Sequence, residues 1–187
     1  TFRAGADIVG NQYVSFRSIY ERSQRRGHDF DLLALQIAAE QPGMRHFDVA
    51  SRDRDRFTAV ASVTPLATVG VNASVAWTKD NYLNETTAVD RFGLQEFTSK
   101  TYTAGLELAP RDGLGVGLSV SVEDYDGVQQ SRTASPTVPG QMQDPTRNWK
   151  LNEGNKAWSG IASLDLLRSI ENTELRFTYN YSNYSGT

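Results

Sequence analysis

Between residues 114 and 124 the chain reads Leu-Gly-Val-Gly-Leu-Ser-Val-Ser-Val-Glu-Asp. Leu114, Val116, Leu118, Val120 and Val122 share one parity, and Gly115, Gly117, Ser119, Ser121 and Glu123 share the other. A strand sends successive side chains to opposite faces, so this period predicts a strand with one apolar face. Its other face carries almost no side chain, unlike the Lys and Glu row of an ordinary solvated strand. The alternation recurs along the chain. Phe2, Ala4, Ala6 and Ile8 form one set, and Val14, Phe16, Ser18 and Tyr20 a less regular second. Phe57, Ala59, Ala61 and Val63 lead through Thr64-Pro65-Leu66-Ala67 to Val69, Val71, Ala73, Val75 and Trp77. Tyr102, Ala104, Leu106 and Leu108 precede Pro110-Arg111-Asp112-Gly113, a hairpin signal. A final pair comprises Trp158, Ala162, Leu164 and Leu166, then Leu175, Phe177, Tyr179 and Tyr181.

These sets predict about eight antiparallel strands in four hairpins, each near the length that a tilted membrane-crossing strand requires. Short turns near 10, 65, 111 and 170 alternate with long polar segments at about 24–56, 79–98 and 126–156. That two-beat rhythm is the mark of an outer-membrane β-barrel, with short periplasmic turns and long outer loops. The expected fold is therefore all-β, a transmembrane antiparallel barrel, with residues 1–187 one segment of it. A soluble β-sandwich would share the alternation but not the rhythm. Trp77, Tyr82, Tyr102, Tyr125, Trp149, Trp158, Tyr179, Tyr181 and Tyr184 cluster towards the strand ends. Such residues favour the lipid–water boundary, although aromatics also favour strands in general.

Composition narrows the chemistry. The apolar fraction is 39%, low for a chain of 187 residues that must build a globular core. The net charge of −3 gives no polyanion-binding surface, so no nucleic-acid partner is expected. With no cysteine, the segment holds no disulfide, thiolate metal site or Cys-x-x-Cys-His haem attachment. The apolar-rich run Leu32–Ala39 is interrupted by Gln36 and is far short of the roughly 20 residues of a membrane helix. Residues 29–40 instead suggest a short helix stopped by Pro42-Gly43, folded over the barrel mouth. The chain starts at Thr1 without a Met or a signal pattern, as expected of a processed or partial chain.

Catalytic and metal signals are weak. His28 and His46 are 18 positions apart, and the serines lack a nucleophile-elbow context or a partnered histidine. No enzyme activity is expected. Glu123-Asp124 with Asp126-Gly127 offers oxygen ligands for calcium, but without EF-hand spacing, and solvated carboxylates are commoner. In the run Arg52-Asp53-Arg54-Asp55-Arg56 a strand would set the three arginines on one face. They are a candidate outer rim for an acidic partner or lipopolysaccharide phosphates; the favoured reading of the run is a self-compensating solvated edge that keeps the strand soluble above the membrane.

Charges at Arg17, Glu21, Glu107, Glu123, Asp165, Glu174 and Arg176 lie on the polar parity. A basic one facing lipid would cost about 2–4 kcal/mol at the bilayer midplane, so they are expected inward. A closed eight-stranded barrel is filled by its own side chains. Gly70, Asn72, Ser74, Thr101, Thr103, Gly105, Gly115, Gly117, Ser119 and Ser121 fill very little. They predict a wide lumen that holds water or another protein, with Arg176 as an inward cation.

The stretch His46–Arg56, followed by a strand, Pro65, a second strand and Lys79-Asp80-Asn81-Tyr82, resembles the MtrB/PioB family of outer-membrane barrels. Arg91-Phe92-Gly93-Leu94, Arg147-Asn148-Trp149 and Tyr179-Asn180-Tyr181-Ser182 resemble it too. The family's Cys-containing N-terminal motif is not seen. The resemblance implies a fraction of a much larger barrel in a bacterial outer membrane. It also implies a multihaem c-type cytochrome sheathed in the lumen, an outer-surface cytochrome beyond it, and haem carried by the partner alone. A porin-like channel and a soluble sandwich with Trp149 and Trp158 as a stacking platform are the alternatives.

Overall fold

The computed structural model describes residues 1–27, 50–83, 92–135, 137–170 and 173–186. The candidate helix at 29–40, His28 and His46 lie outside the described residues. Eight strands form a single antiparallel sheet in sequence order. They are β1 (Phe2–Asn11), β2 (Val14–Arg25), β3 (Arg52–Leu66), β4 (Val69–Tyr82), β5 (Gly93–Arg111), β6 (Leu114–Arg132), β7 (Asn148–Ile170) and β8 (Thr173–Gly186). β1 and β8 are the two edges and do not pair with each other, so the sheet is an open arc. A sandwich needs a second sheet to cover one face, and none is present among the described residues.

The strands run further than the hydropathy pattern. β5 and β6 span 19 residues each and β7 spans 23. Much of 79–98, 126–156 and the end of 24–56 is therefore paired ladder, not loop. The reason is physical. Alternation reports a strand only where one face meets apolar surroundings; beyond that band both faces are wet and both become polar, while the backbone pairing continues.

Three described turns have two residues each: Gln12-Tyr13, Ala67-Thr68 and Asp112-Gly113. Tyr13 donates its N–H to Asn11 Oδ1 at 2.8 Å, which tightens the first. Gly113 has φ 78°, a left-handed conformation that disfavours other residues. Pro65 and Pro110 fall inside the register shifts Val63/Leu66 and Leu108/Arg111. A proline has no N–H for the ladder, so it is accommodated where the pairing is already irregular. This moves the turns one or two residues past the prolines that announce them.

Register carries the two faces across the whole sheet. Phe16, Ala61, Ala73, Ala104, Val120, Gly160 and Tyr181 are successive cross-strand partners on the apolar face. Ser62, Asn72, Gly105, Ser119, Ile161 and Asn180 are partners on the polar face. The apolar face is uncovered: Leu118 is 46% exposed and Phe177 57%. Among the described residues Phe92 is the buried hydrophobic side chain. A sheet this size with no core is not a water-soluble arrangement; the apolar face requires lipid.

Aromatics mark its upper margin. Tyr20, Phe57 and Trp77 are neighbours in one row. Tyr102 and Trp158 stand in the row below, flanking Val122, and Tyr181 in the row below that. This stepwise descent is what strand tilt requires of a level belt. Trp158 and Tyr181 rings lie 4.9 Å apart between centroids. Tyr82, Tyr125, Trp149 and Tyr184 pair instead on the polar face. Trp149 and Trp158 therefore face opposite ways and form no common platform.

Adjacent residues on β6 should respond oppositely to the same substitution. Leu118→Arg puts a cation into hydrocarbon and should cost about 2–4 kcal/mol, whereas Ser119→Arg should leave folding close to wild type. Urea midpoints after refolding into lipid vesicles measure both.

Candidate partner-facing wall

The polar face at mid-height is built from short side chains in register. Ser74, Thr103, Ser121, Ser159 and Ser182 are consecutive partners across β4 to β8. Thr103 Oγ1 donates to Ser121 Oγ at 3.5 Å. The next row holds Asn72, Gly105, Ser119, Ile161 and Asn180, and the one below it Gly70, Glu107, Gly117, Ser163 and Thr178. Thr101 pairs with Glu123 above, and Gly115 with Asp165 below. All the small positions expected on the lumen side thus share one surface, with Arg176 at its lower margin. Ser159, Ser163, Thr178 and Asn180 belong to the same surface; continuing the parity along β7 and β8 identifies them. Ile161 is the apolar member that parity alone makes look misplaced.

The glycines are not empty space. A Cβ at Gly105 would lie 2.7 Å from Asn72 Oδ1, and one at Gly117 would lie 2.6 Å from Ser163 Oγ. At Gly70 the neighbour is Glu107, and at Gly115 it is Asp165. Each of these partners stands directly opposite its glycine. The polar side chain lies down across the glycine instead of standing off the sheet. The wall is consequently flat as well as polar.

Charges lie around this flat area and divide by sector. On β1 to β3 the polar face carries Arg3, Arg17, Arg25, Arg52, Arg54 and Arg56 against Asp7 and Glu21. On β5 to β8 it carries Glu107, Glu123, Glu153, Asp165 and Glu174 against Arg176. Two pairs directly opposite each other are closed, Arg17–Asp7 and Arg176–Asp165, each at 2.5 Å. The first pair is largely exposed, and in the second Arg176 is exposed while Asp165 is part-buried; exposure of the cations keeps their contribution to stability small.

Arg52, Arg54 and Arg56 do share a face, but it is the polar one. Two are already engaged. Asp80, only 2% exposed, accepts Arg54 Nε and a second Arg54 nitrogen at 2.7 Å each, and lies 3.3 Å from Arg52. The hydrogen bond to Asp80 is the main reason Arg54 holds its proton more firmly than a free guanidinium. Arg56 is exposed and faces Glu21 across the ladder. The sequence marked Asp80 only as part of the Lys79-Asp80-Asn81-Tyr82 motif; the register aims both arginines at it.

The acidic group at 123–126 is dispersed. Glu123 lies on the polar face, while Asp124 and Asp126 lie on the apolar side above the belt. Tyr125 donates its hydroxyl to Glu123 at 2.5 Å, which raises the phenol above its ordinary range. These carboxylates do not converge on a cation.

Further up, two separated segments meet at one residue. The Arg132 guanidinium stacks over the Phe92 ring at 5.0 Å, and its Nε donates to Asn148 Oδ1 at 2.7 Å. Arg132 also donates to the Met142 carbonyl at 2.6 Å. Gly93, with φ 90°, allows the turn that places Phe92 there. Thus Phe92-Gly93 and Asn148-Trp149 are joined through a buried arginine, which ties the tops of β5, β6 and β7.

Removing the carboxylate at Asp80 leaves two partly buried guanidinium groups without their counter-charge. Asp80→Ala should therefore destabilise the fold by about 3–5 kcal/mol, while Arg56→Ala should cost little. Thermal unfolding in detergent, followed by circular dichroism, separates the two.

No curated protein matches the chain. A family model does. It is described as outer membrane beta-barrel porin, MtrB/PioB, and it matches residues 1–183. With the open antiparallel arc, the lipid-facing surface and the aromatic belt already in place, this shows that the chain belongs to the MtrB/PioB family of outer-membrane β-barrels.

Proposed function

We propose that the barrel containing this arc sheathes a multihaem c-type cytochrome and positions it for electron transfer across the outer membrane, towards a second cytochrome at the cell surface. The observation that carries this reading is the flat polar wall on β4 to β8, where glycine, serine, threonine and asparagine prevail and Glu107 and Ile161 are the exceptions. Side chains that lie down across glycines leave room for another protein to come close to the backbone. Half-buried hydroxyls and amides, with exposed ones on β8, supply hydrogen bonds to such a partner without the desolvation cost of charges.

The barrel performs no chemistry in this reading. With no cysteine in the segment, the haem belongs to the partner. The wall's role is exclusion: closed β-structure keeps lipid and water from a chain of cofactors and fixes their height in the bilayer.

A passive channel is the second reading, and the division of charge favours it specifically. A basic sector beside an acidic one creates a transverse field that would sort solutes by charge. The two readings separate by experiment. Purified with its native partners, a sheath should be red and show a Soret band, whereas a channel should be colourless and conduct ions in planar bilayers.

Ser119→Leu with Ser121→Leu should reduce copurified haem about tenfold, the effect of roughly 1.4 kcal/mol of lost fit. These positions are better targets than Gly117, where any side chain would first displace Ser163. Unchanged haem content in a folded variant would count against the sheath.

A further inference from the structure

We propose that the apolar face of β6 to β8 binds one lipopolysaccharide molecule of the outer leaflet, with an acyl chain in a groove along β7 and a phosphate held by Lys100 and Lys156. The inference rests on the outer-membrane location of the family and is independent of the cytochrome. Two separate features converge on it.

The first is a groove of about 550 Å³ on the apolar face. Gly160 and Ala162 form its floor, with Leu118 and Val120, backed by Ala104 and Leu106 of β5, on one side and Tyr179 and Tyr181 on the other. Walls on β6 and β8 stand two interstrand spacings apart, about 10 Å between backbones, which leaves the width of one hydrocarbon chain between side chains. A Cβ at Gly160 would meet only the Ser119 carbonyl at 3.9 Å, so the floor is low because nothing fills it. Trp158 flanks the upper end, its ring against Tyr181.

The second is the charge immediately above. Lys100, Asp124 and Lys156 are consecutive cross-strand partners on the outward side, one row above Tyr102, Val122 and Trp158. Among the described residues neither lysine forms an ion pair. They stand at the lipid headgroup level on the side of the long connections, which is the outer surface in barrels of this kind. An occupant with a chain in the groove and its head at this row must be an amphiphile bearing an anion. In the outer leaflet that is the phosphorylated glycolipid.

The test uses the full-length barrel in detergent, with adducts of purified bisphosphorylated lipid A counted by native mass spectrometry. Wild type should retain one lipid A under activation that strips phosphatidylglycerol. Lys100→Gln with Lys156→Gln should weaken retention about tenfold or more, as expected of two headgroup-level cations. Gly160→Leu, which fills the groove and leaves the lysines intact, should weaken it comparably. Dephosphorylated lipid A should bind wild type about tenfold less tightly, a comparison that needs no variant to fold. Equal binding of the dephosphorylated lipid, unchanged retention in either folded variant, or equal losses of phosphatidylglycerol and lipid A would each overturn the proposal.

Discussion

A backbone N–H or C=O that enters hydrocarbon must find its partner within the protein, because no water is available to take its place. An unbroken antiparallel ladder meets that demand, and the remaining features depend on its register. Since side chains alternate with period two, a slip of one residue would turn every valine of a strand inward and every serine towards lipid. The irregularities in this sheet are confined to strand ends: Val9/Asn11, Val63/Leu66, Leu94/Glu96, Leu108/Arg111 and Leu167/Ile170. None interrupts the apolar band. The prolines that would break a ladder elsewhere sit at two of those places.

The same demand explains the open edges. β1 and β8 each present a row of backbone groups without a partner in the sheet, and in lipid such groups have to be paired. An arc of a large barrel also has a different interior problem from a small closed one. In the wide barrel proposed above, such an inner surface would not be packed by its own residues and would suit water or a guest. Glycine opposite asparagine, serine or a carboxylate achieves a polar surface of minimal height. The fixed charges are displaced to the margins, basic on one sector and acidic on the other.

The fold was largely legible because lipid imposes the strictest pattern a strand can carry. Leu114 to Val122 announces both faces of β6 without any tertiary information, and the eight apolar sets correspond to the eight strands. Strand ends were less legible. Arg52 to Arg56 and Gly93 to Lys100 are in the ladder but lie where both faces are wet, so hydropathy carries no period there. The small wall positions were readable by parity, whereas the glycine-covering side chains were not. Asn72 and Gly105 are 33 positions apart and become neighbours only through the pairing of β4 with β5.

By itself, the sequence determined which residues meet lipid and which do not, because alternation is a local property fixed by backbone geometry. It also excluded haem attachment and disulfides within this segment, because both need cysteine. Only the tertiary structure decided which residues of different strands stand side by side. Register brought Arg52 and Arg54 to Asp80, Phe92 and Asn148 to Arg132, and Lys100 and Lys156 to either side of Asp124. Those meetings depend on how far each strand is displaced along its neighbour, and no single strand contains that quantity.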